Sequence, residues 1–181
     1  MENIGKYFKG LECLENKNEG EIAMEIKIKY FNEAKELEIN PKGNCIDVYA
    51  NEDIFIPFMG YAMIPLGFAL NLPKGMTGRL MPRSSTFKTW GCIETNSVGM
   101  IDDSYTGDND QWHMPLQCTM AMCTEKVMVN GKKVTCMGTW IHKGDKIGQF
   151  ELHSAMEMPQ LVKVESFGNA DRGGFGSTGR K

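Results

Sequence analysis

Short apolar runs, each closed by turn-forming residues, recur along this chain. The runs are CIDVYA, DIFIPFM, YAMIPLGFALNL, GRLMPR, MPLQCTMAM and KVTCMGTWI, and the segments between them include NPKG, PKG and NG. Upstream, in EIAMEIKIKYF, Met24, Ile26 and Ile28 alternate with charged residues, which is the two-residue period of a half-buried strand. No stretch shows a long helical period with caps, and TFKTWGC has room for only a turn or two of helix. The sequence therefore predicts an all-β fold, a sandwich or jelly roll, with a hairpin at Asn130-Gly131.

Length and charge indicate the domain organisation and exclude some classes of partner. With 181 residues, 41% of them hydrophobic, the chain is long enough for one domain with a proper core. Its formal charge of -3 gives no general attraction to nucleic acid or to anionic membranes. No stretch approaches the roughly 18 apolar residues of a membrane helix, and MENIGKYFKG lacks the apolar core of a signal peptide. We therefore expect a cytoplasmic protein with no nucleic-acid or membrane partner.

The chain divides into three parts by composition. An N-terminal arm (1–22) is polar and weakly patterned, a β domain (23–168) carries the apolar runs, and a flexible tail (169–181) is rich in glycine. The six cysteines include no C-x-x-C pair and the three histidines lie far apart, so we expect reduced cysteines and no structural zinc site. The fourteen methionines are interpreted as core residues.

Two stretches carry polar groups that strand patterning alone does not explain. In NCIDVYA, Asp47 lies between two apolar residues and points away from them on a strand; alone, it would be a solvated aspartate. In GRLMPRSSTF, Pro82 fixes the backbone before Arg83, and two hydroxyls follow, which offers a fork of donors and backbone N–H groups to phosphate. The same stretch also fits a capped turn with Ser84 or Ser85 as a helix N-cap, and the sequence leaves both interpretations open.

Three further stretches contain candidate catalytic and binding groups. NSVGMIDDSYTGD predicts a β-hairpin, in which the Asp102 carboxylate could activate water and the Tyr105 ring could pack on a sugar. Asp and Gly also form ordinary acidic turns. KGDKIGQF joins a tight turn to a strand that carries Gln149. The terminal DRGGFGSTGRK fits either a frayed end or a flexible strip that closes on an aromatic, anionic ligand through Phe175 and Arg172.

Taken in order, the five stretches resemble the five motifs of the homotrimeric dUTPase family over residues 24–181. Asp47 and Ala50 match the first motif, although Asn44-Cys45 stands where Ala-Gly is usual. The other departures are Asp108 in place of a common Glu, the extra arm, Arg172 directly before Gly-Gly-Phe, and a long spacing between the third and fourth motifs that indicates an insertion at about 120–138.

The resemblance implies hydrolysis of dUTP to dUMP and pyrophosphate, which removes dUTP from the nucleotide pool and supplies dUMP for dTMP synthesis. Water would attack the α-phosphorus, with Mg²⁺ held mainly by the triphosphate. The implied catalytic residues are Asp102 as the general base, Asp47 through a magnesium-bound water, and Arg83. The phosphates would be held by Arg83, Ser84, Gln149 and Arg172, and Ser85 would also contact the substrate.

The resemblance also implies how the nucleoside is read and how subunits assemble. Tyr105 would lie against the deoxyribose and exclude a 2′-hydroxyl, and the hairpin would read uracil through Asn96, Gly99, Met100 and Ile101. The fold would be a distorted jelly roll whose homotrimer exchanges tails and builds each site from three chains. In the tail, Phe175 would stack on uracil, and the substrate would also be contacted by Arg172, Gly176, Ser177 and Thr178.

Two alternative functions remain open from the sequence. A dCTP deaminase shares the fold and an Arg-Ser-Ser segment, but needs a catalytic glutamate near its hairpin, where this chain has Asp102. A dUTP-responsive regulatory protein would use the insertion around VMVNGKKVTC as a surface for a protein partner.

Overall fold

The computed structural model describes residues 24–39 and 41–171. Within them the chain forms twelve strands and one short helix. The helix is α1 (Thr86–Trp90), and the strands are β1 (Lys27–Tyr30), β2 (Ile46–Tyr49), β3 (Ile54–Pro57), β4 (Tyr61–Pro65), β5 (Phe68–Asn71), β6 (Met76–Pro82), β7 (Cys92–Glu94), β8 (Gly99–Asp102), β9 (His113–Cys118), β10 (Cys123–Val129), β11 (Lys132–Ile141) and β12 (Lys146–Ser154). The prediction of an all-β fold with at most a turn or two of helix is confirmed.

All strand pairings in the described residues are antiparallel, and most join strands that are distant in sequence, as in a jelly roll. The largest sheet has the order β2-β12-β6-β8, and smaller sheets have the orders β10-β11-β3, β4-β9-β7 and β1-β5. The largest sheet positions the candidate site. Its inner face is buried through Leu80 and Phe150, whereas Gln149 and Met81, one residue along, lie on its outer face.

An aromatic cluster fills the core beneath this sheet. Phe68, Trp112 and Phe150 have ring centroids 5.1 to 6.0 Å apart, and all three are almost fully buried. Gly78 of β6 lies over the indole: a Cβ there would meet Trp112 at 2.4 Å. Strand β6 can therefore pack against the Trp112 ring at this position only because residue 78 is a glycine.

The interpretation of the methionines as core residues is wrong for most of them. Met114 is buried, but ten methionines are exposed, including Met63, Met100 and Met128. The first strand is also shorter than EIAMEIKIKYF suggests, because only Lys27–Tyr30 pairs with β5, and Ile28 is exposed. Alternation of apolar and charged residues predicts a strand. It does not show how much of the apolar face is buried by another element.

The segment 96–108 is not the β-hairpin that its sequence predicts. β7 pairs with β9, whereas β8 pairs with β6, so the turn between β7 and β8 carries the chain from one sheet to another. Ser97 takes a left-handed conformation (φ 63°) within this turn. As a result β8 is an edge strand, and half of its backbone N–H and C=O groups point away from β6.

The hairpin predicted at Asn130-Gly131 is confirmed. β10 and β11 pair in continuous register from Val129 and Lys132 to Cys123 and Gly138, and β11 continues into the sheet beside β3. Both turn residues have positive φ (49° and 78°), as the tight turn matching strand twist requires. The segment at about 120–138, which the sequence predicts to be an insertion, consists mainly of this two-stranded arm.

After β12 the chain leaves the sheets. Residues 155–171 contain no helix or strand and are exposed throughout, including apolar side chains of Met158, Leu161 and Phe167. The predicted arm (1–22) and nearly all of the predicted tail (169–181) lie outside the described residues. No helix in the described part of the chain is long and apolar enough to cross a membrane.

Candidate active site

Asp47, Arg83 and Lys146 form an ion-pair cluster at one end of the largest sheet. Arg83 Nε lies 2.9 Å from Asp47 Oδ1, and Lys146 Nζ lies 2.9 Å from Asp47 Oδ2. The hydrogen bond to Asp47 raises the pKa of Lys146, so the lysine stays charged at neutral pH. Two cations around one carboxylate leave a local excess of positive charge, which favours an anionic ligand.

Strand pairing brings three of the predicted phosphate-site residues together. Asp47 of β2 lies directly opposite Gln149 of β12, and Gln149 lies directly opposite Met81 of β6. The side chains of Asp47, Gln149 and Met81 therefore share one face of the sheet. Arg83 follows two residues after Met81. The predicted grouping of Asp47, Arg83 and Gln149 thus follows from the register of β2, β12 and β6.

Lys146 is a site residue that the motifs did not single out. The register of β12 against β2 shifts between Lys146 and Gly148, and the extra residue is the fully buried Ile147. The irregularity places Lys146 opposite Tyr49, which shares a face with Asp47. A bulge in one strand cannot be found from KGDKIGQF alone, and it decides where this lysine points.

The turn after Arg83 is fixed by a buried hydroxyl. Thr86 Oγ1 accepts a hydrogen bond from the Arg83 N–H (2.9 Å) and donates one to the Ile147 carbonyl (2.9 Å). Ser85 is at the N-cap position of α1, but its side chain makes no capping hydrogen bond. The capped-turn interpretation is therefore not supported for the Ser85 hydroxyl. Sequence reasoning missed Thr86, which anchors Arg83 to β12.

A cleft of about 210 Å³ lies along β8, the edge strand of the sheet. A water molecule occupies about 30 Å³ of liquid, so the cleft is large enough for a ligand of several heavy atoms. The described residues that were predicted to read the nucleoside (Asn96, Gly99, Met100, Ile101 and Tyr105) all line this cleft. Its lining residues are Met63, Asn96, Gly99, Met100, Ile101, Tyr105, Gln111, Trp112, His113 and Pro115.

The Tyr105 side chain is held at the rim of the cleft. Its hydroxyl donates a hydrogen bond to the Gln111 carbonyl (3.2 Å), and its N–H donates to the Asp102 carbonyl (3.2 Å). The phenol is 41% exposed, so one side of the ring is available to a ligand. This geometry suits an aromatic wall beside a sugar.

Asp102, the predicted general base, is exposed at the end of β8. Its Oδ1 accepts hydrogen bonds from the Ser104 hydroxyl and the Ser104 N–H (2.9 Å for the latter). These bonds, that of the hydroxyl first, hold the pKa of Asp102 below its ordinary value. The carboxylate is therefore ionised at neutral pH and able to accept a proton from water.

Glu94 is a buried carboxyl that sequence reasoning missed. It is 6% exposed, and neither carboxyl oxygen has a hydrogen-bond partner in the described chain. Burial raises the pKa of Glu94 to about 7, and the nearby Gly99 N–H opposes this shift only in part. The Glu94 carboxyl lies near Gly99, the first residue of β8 and a lining residue of the cleft.

The two groups of site residues lie far apart in one chain. Asp102 pairs with Thr77 near the start of β6, whereas Arg83 follows Pro82 at the end of that strand. The five residue steps from Thr77 to Pro82 span about 17 Å along a strand. A base, an attacking water and a phosphorus must lie within a few Å of one another. A single chain therefore does not bring Asp102 to the Asp47 cluster.

Several predictions fall on residues that the structure does not describe. Arg172, Phe175, Gly176, Ser177 and Thr178 lie beyond residue 171, so their predicted contacts stay predictions. Among the described residues, no three His, Cys, Asp or Glu side chains form a group that could hold a metal ion.

The sequence is similar to those of known proteins. A family model described as dUTPase matches residues 40–110. The SPbeta prophage-derived deoxyuridine 5′-triphosphate nucleotidohydrolase YosS of Bacillus subtilis is 42% identical over 160 residues, which cover 87% of this chain and 100% of that protein. The chain belongs to the dUTPase family. The deoxyuridine 5′-triphosphate nucleotidohydrolase of Saccharomyces cerevisiae is 33% identical over 135 residues, or 74% of this chain and 78% of the yeast protein.

Solved structures of dUTPases share the fold. Staphylococcus bacteriophage 80alpha dUTPase with dUpNHpp superimposes with a TM-score of 0.68 at 22% identity, over 86% of this chain and 99% of that one. A mutant dUTPase from phage phi11 of S. aureus, whose structure describes the coordination of a structural Mg(II) ion, gives 0.62 at 20% identity over 79% and 98% of the two chains. The predicted dUTPase-type β fold is thereby confirmed.

Proposed function

We propose that this protein hydrolyses dUTP to dUMP and pyrophosphate, with water attacking the α-phosphorus. The observation that carries the proposal is that the largest sheet supports both a cationic phosphate cluster and a nucleoside-sized cleft, with an ionised carboxylate beside the cleft. Membership of the dUTPase family supports the same reaction.

Arg83 and Lys146 act on the triphosphate. Arg83 offers a planar fork of donors and Lys146 a compact charge, and both already face one anionic group, Asp47. A bound triphosphate replaces or shares that carboxylate as their partner. Ser84, Ser85 and Gln149 supply neutral donors beside them, so the phosphates are held by groups whose positions the sheet fixes before the ligand arrives.

The donor set fits a magnesium ion that is bound mainly by the substrate. Mg²⁺ keeps several of its waters and needs only one or two carboxylates beside phosphate oxygens. Asp47 is the carboxylate in the cluster that would contact the ion through water. When bound, Mg²⁺ neutralises charge on the phosphate oxygens. Asp102 removes the proton from the attacking water, and Arg83 and Lys146 orient the phosphates.

The cleft reads the nucleoside. The outward N–H and C=O groups of the β8 edge offer paired donors and acceptors that suit the edge of uracil, with Asn96 at the preceding turn. Tyr105, held by the Gln111 carbonyl, covers the deoxyribose and leaves no room for a 2′-hydroxyl.

We further propose that the active unit is a homotrimer with shared sites. The separation of Asp102 from the Asp47 cluster requires a second chain to complete each site. One described chain also leaves Tyr61 and Ile93 exposed on β4 and β7 of one sheet, as well as the apolar residues of 155–171. Apolar surface of this kind marks contacts with other chains. Residues 172–181 then form the lid, in which Phe175 covers the base and Arg172 reaches the phosphates.

A protein partner for the β10–β11 arm stays a prediction. Its support is the exposure of four apolar side chains, Met128, Val129, Val134 and Met137, on a part of the chain that none of the proposed site residues occupies.

Pyrophosphate release from dUTP, dCTP and UTP, measured separately with and without Mg²⁺, tests the proposed reaction. We expect rapid release from dUTP with Mg²⁺ and little from the other two nucleotides. Ammonia release from dCTP is measured in parallel, because a deaminase would produce it. Ammonia from dCTP without pyrophosphate from dUTP would contradict the proposal.

A further inference from the structure

Cys92 and Cys118 face each other in the sheet β4-β9-β7. The register of β7 against β9 places them directly opposite one another. Both are free thiols, with 1% and 0% of their surfaces exposed. Each thiol also shifts the pKa of the other, so the two sulfur atoms lie within interacting distance. The reaction proposed above uses neither of them.

The surrounding backbone hydrogen bonds show which kind of cross-strand pair the two cysteines form. The Thr119 N–H donates to the Gly91 carbonyl (2.9 Å), whereas the Cys118 N–H donates on the side of β4, to the Gly60 carbonyl (3.0 Å). Because the two kinds of pair alternate along an antiparallel ladder, Cys92 and Cys118 are a non-hydrogen-bonded pair, with Cα atoms about 4.5 Å apart. Disulfides join Cα atoms that are about 4.4 to 6.8 Å apart. The backbone is therefore already placed for an S–S bond.

We propose that Cys92 and Cys118 form a site of reversible oxidation, at which a low-molecular-weight disulfide converts the two thiols into an internal disulfide. This inference goes beyond the proposed function and does not depend on it. The chain between the two cysteines carries β8, Asp102 and Tyr105. The bond therefore ties together the two ends of the segment that supplies most of the cleft.

The buried thiols become accessible through β7. This strand has three residues and lies at the edge of its sheet, whereas β9 lies between two strands. Local opening of such a segment costs less free energy than global unfolding. Burial raises the pKa of Cys92 to about 12, so the closed pair stays protonated and unreactive. Opening of β7 brings Cys92 into water, where its thiolate can form.

The reaction is a thiol–disulfide exchange in two steps. Cys92 Sγ loses its proton to water and attacks one sulfur of the reagent, whose own S–S bond breaks, and half of the reagent leaves as a thiol. When β7 closes, Cys118 Sγ loses its proton and attacks Cys92 Sγ, and the second half of the reagent leaves as a thiol. Two protein thiols are oxidised to one disulfide, and the reagent is reduced to two thiols.

The experiment uses 2-hydroxyethyl disulfide, a small reagent that exchanges with thiols and leaves methionine unoxidised. The test variant keeps Cys92 and Cys118 and carries Cys13→Ser, Cys45→Ser, Cys123→Ser and Cys136→Ser. Over several hours at about pH 8, we expect the folded protein to lose the mass of the two thiol hydrogens, and dithiothreitol to restore it. Chymotrypsin cleaves after Tyr105 and Trp112, between the two cysteines, so their peptides should stay joined only by the S–S bond.

Oxidation should also raise the melting temperature of the test variant by about 5 °C or more, because the bond constrains the unfolded chain. Cys92→Ala in the same background is the matched control and should melt at the same temperature with and without the reagent. If the serine substitutions prevent folding, the same peptide mapping on the wild type identifies the joined pair. Free thiols or a persistent mixed disulfide at Cys92 and Cys118, under conditions in which the urea-unfolded chain reacts completely, would overturn the inference.

Discussion

Glu94 and Asp102 lie on either side of the turn that enters the cleft, and their environments shift their pKa values in opposite directions. Asp102 is exposed and its charge is stabilised by Ser104, so its pKa is lowered. Glu94 is buried without a partner, so burial raises its pKa to about 7. The sequence predicted a role for Asp102, because the third motif contains it. Nothing in the sequence indicated that Glu94 is buried, because β7 has only three residues, too few to predict which of its faces packs against another sheet.

Asp102→Asn should leave dUTP binding within a few-fold and lower kcat by at least about 100-fold, because the amide holds water but accepts no proton. Asp103→Asn is the matched control. Asp103 accepts a hydrogen bond from the Gly75 N–H, which an amide oxygen can keep. Binding is measured with a non-hydrolysable dUTP analogue and turnover by pyrophosphate release. Unchanged turnover in Asp102→Asn would show that another group is the base.

Glu94 should make the folded protein less stable as pH rises. Its folded pKa of about 7 exceeds the ordinary value of 4.5, so the folded state holds the proton more tightly, and stability falls between these two pH values. Each pKa unit corresponds to about 1.4 kcal/mol, so the loss above pH 7 is up to about 3 kcal/mol. Glu94→Gln should abolish this fall, as urea unfolding from pH 4.5 to 8 can measure.

An exposed glutamate provides the comparison for that measurement. Glu52→Gln removes the same charge from the surface and should leave the pH dependence of unfolding as in the wild type. If Glu94→Gln unfolds with the wild-type pH dependence, the carboxyl of Glu94 is not a buried acid in solution.

At the scale of elements, sequence reasoning succeeded where the signal is local. Asn130-Gly131 specifies a tight turn by its own backbone preferences, and the β10–β11 hairpin follows. Sequence reasoning failed at 96–108, where it predicted a hairpin. The two strands joined by the turn near Asn96 do not pair with each other, because β7 pairs with β9 and β8 pairs with β6. Which strand is the partner depends on residues far away in sequence, and the same holds for the bulge that orients Lys146.

Shortening the β10–β11 arm should leave catalysis intact. We would remove residues 126–129 and 132–135 and keep the turn Asn130-Gly131, which deletes four cross-strand pairs. Because four is an even number, each remaining side chain keeps its face of the hairpin, and hydrogen-bonded and non-hydrogen-bonded pairs still alternate. Glu125 then pairs with Cys136 next to the turn. We expect kcat/KM for dUTP within about threefold of wild type, because surface extensions tolerate deletion. A folded but inactive variant would place the arm in the site.

At the scale of the whole molecule, the motifs lie on one sheet but at separate ends of it. Asp47, Arg83 and Gln149 meet at one end, and Asp102 and Tyr105 lie by the cleft at the other. The order of motifs along a chain cannot show which copy of the chain each motif serves. Strand pairing supports the proposal that the two groups serve different sites, because the length of β6 keeps them apart within one subunit.

Two inactive variants should therefore restore activity when they share a trimer. We would co-express Arg83→Gln and Asp102→Asn with different affinity tags and purify first by one tag and then by the other, so that every trimer contains both. If each site takes Arg83 from one chain and Asp102 from the next around the ring, every mixed trimer has one intact site in three. We expect about one third of wild-type kcat, against at most about 1% for either variant alone.

The control for this complementation pairs Asp102→Asn with the double variant that carries both substitutions. Its mixed trimers contain no intact Asp102 and should stay inactive, which excludes contamination by wild-type protein. Inactive mixed trimers of the two single variants would mean that Arg83 and Asp102 act in the same chain. That result would require β8 to leave its edge position beside β6, because five strand residues now separate the two side chains. The complementation thus decides between a site shared by subunits and a large rearrangement within one.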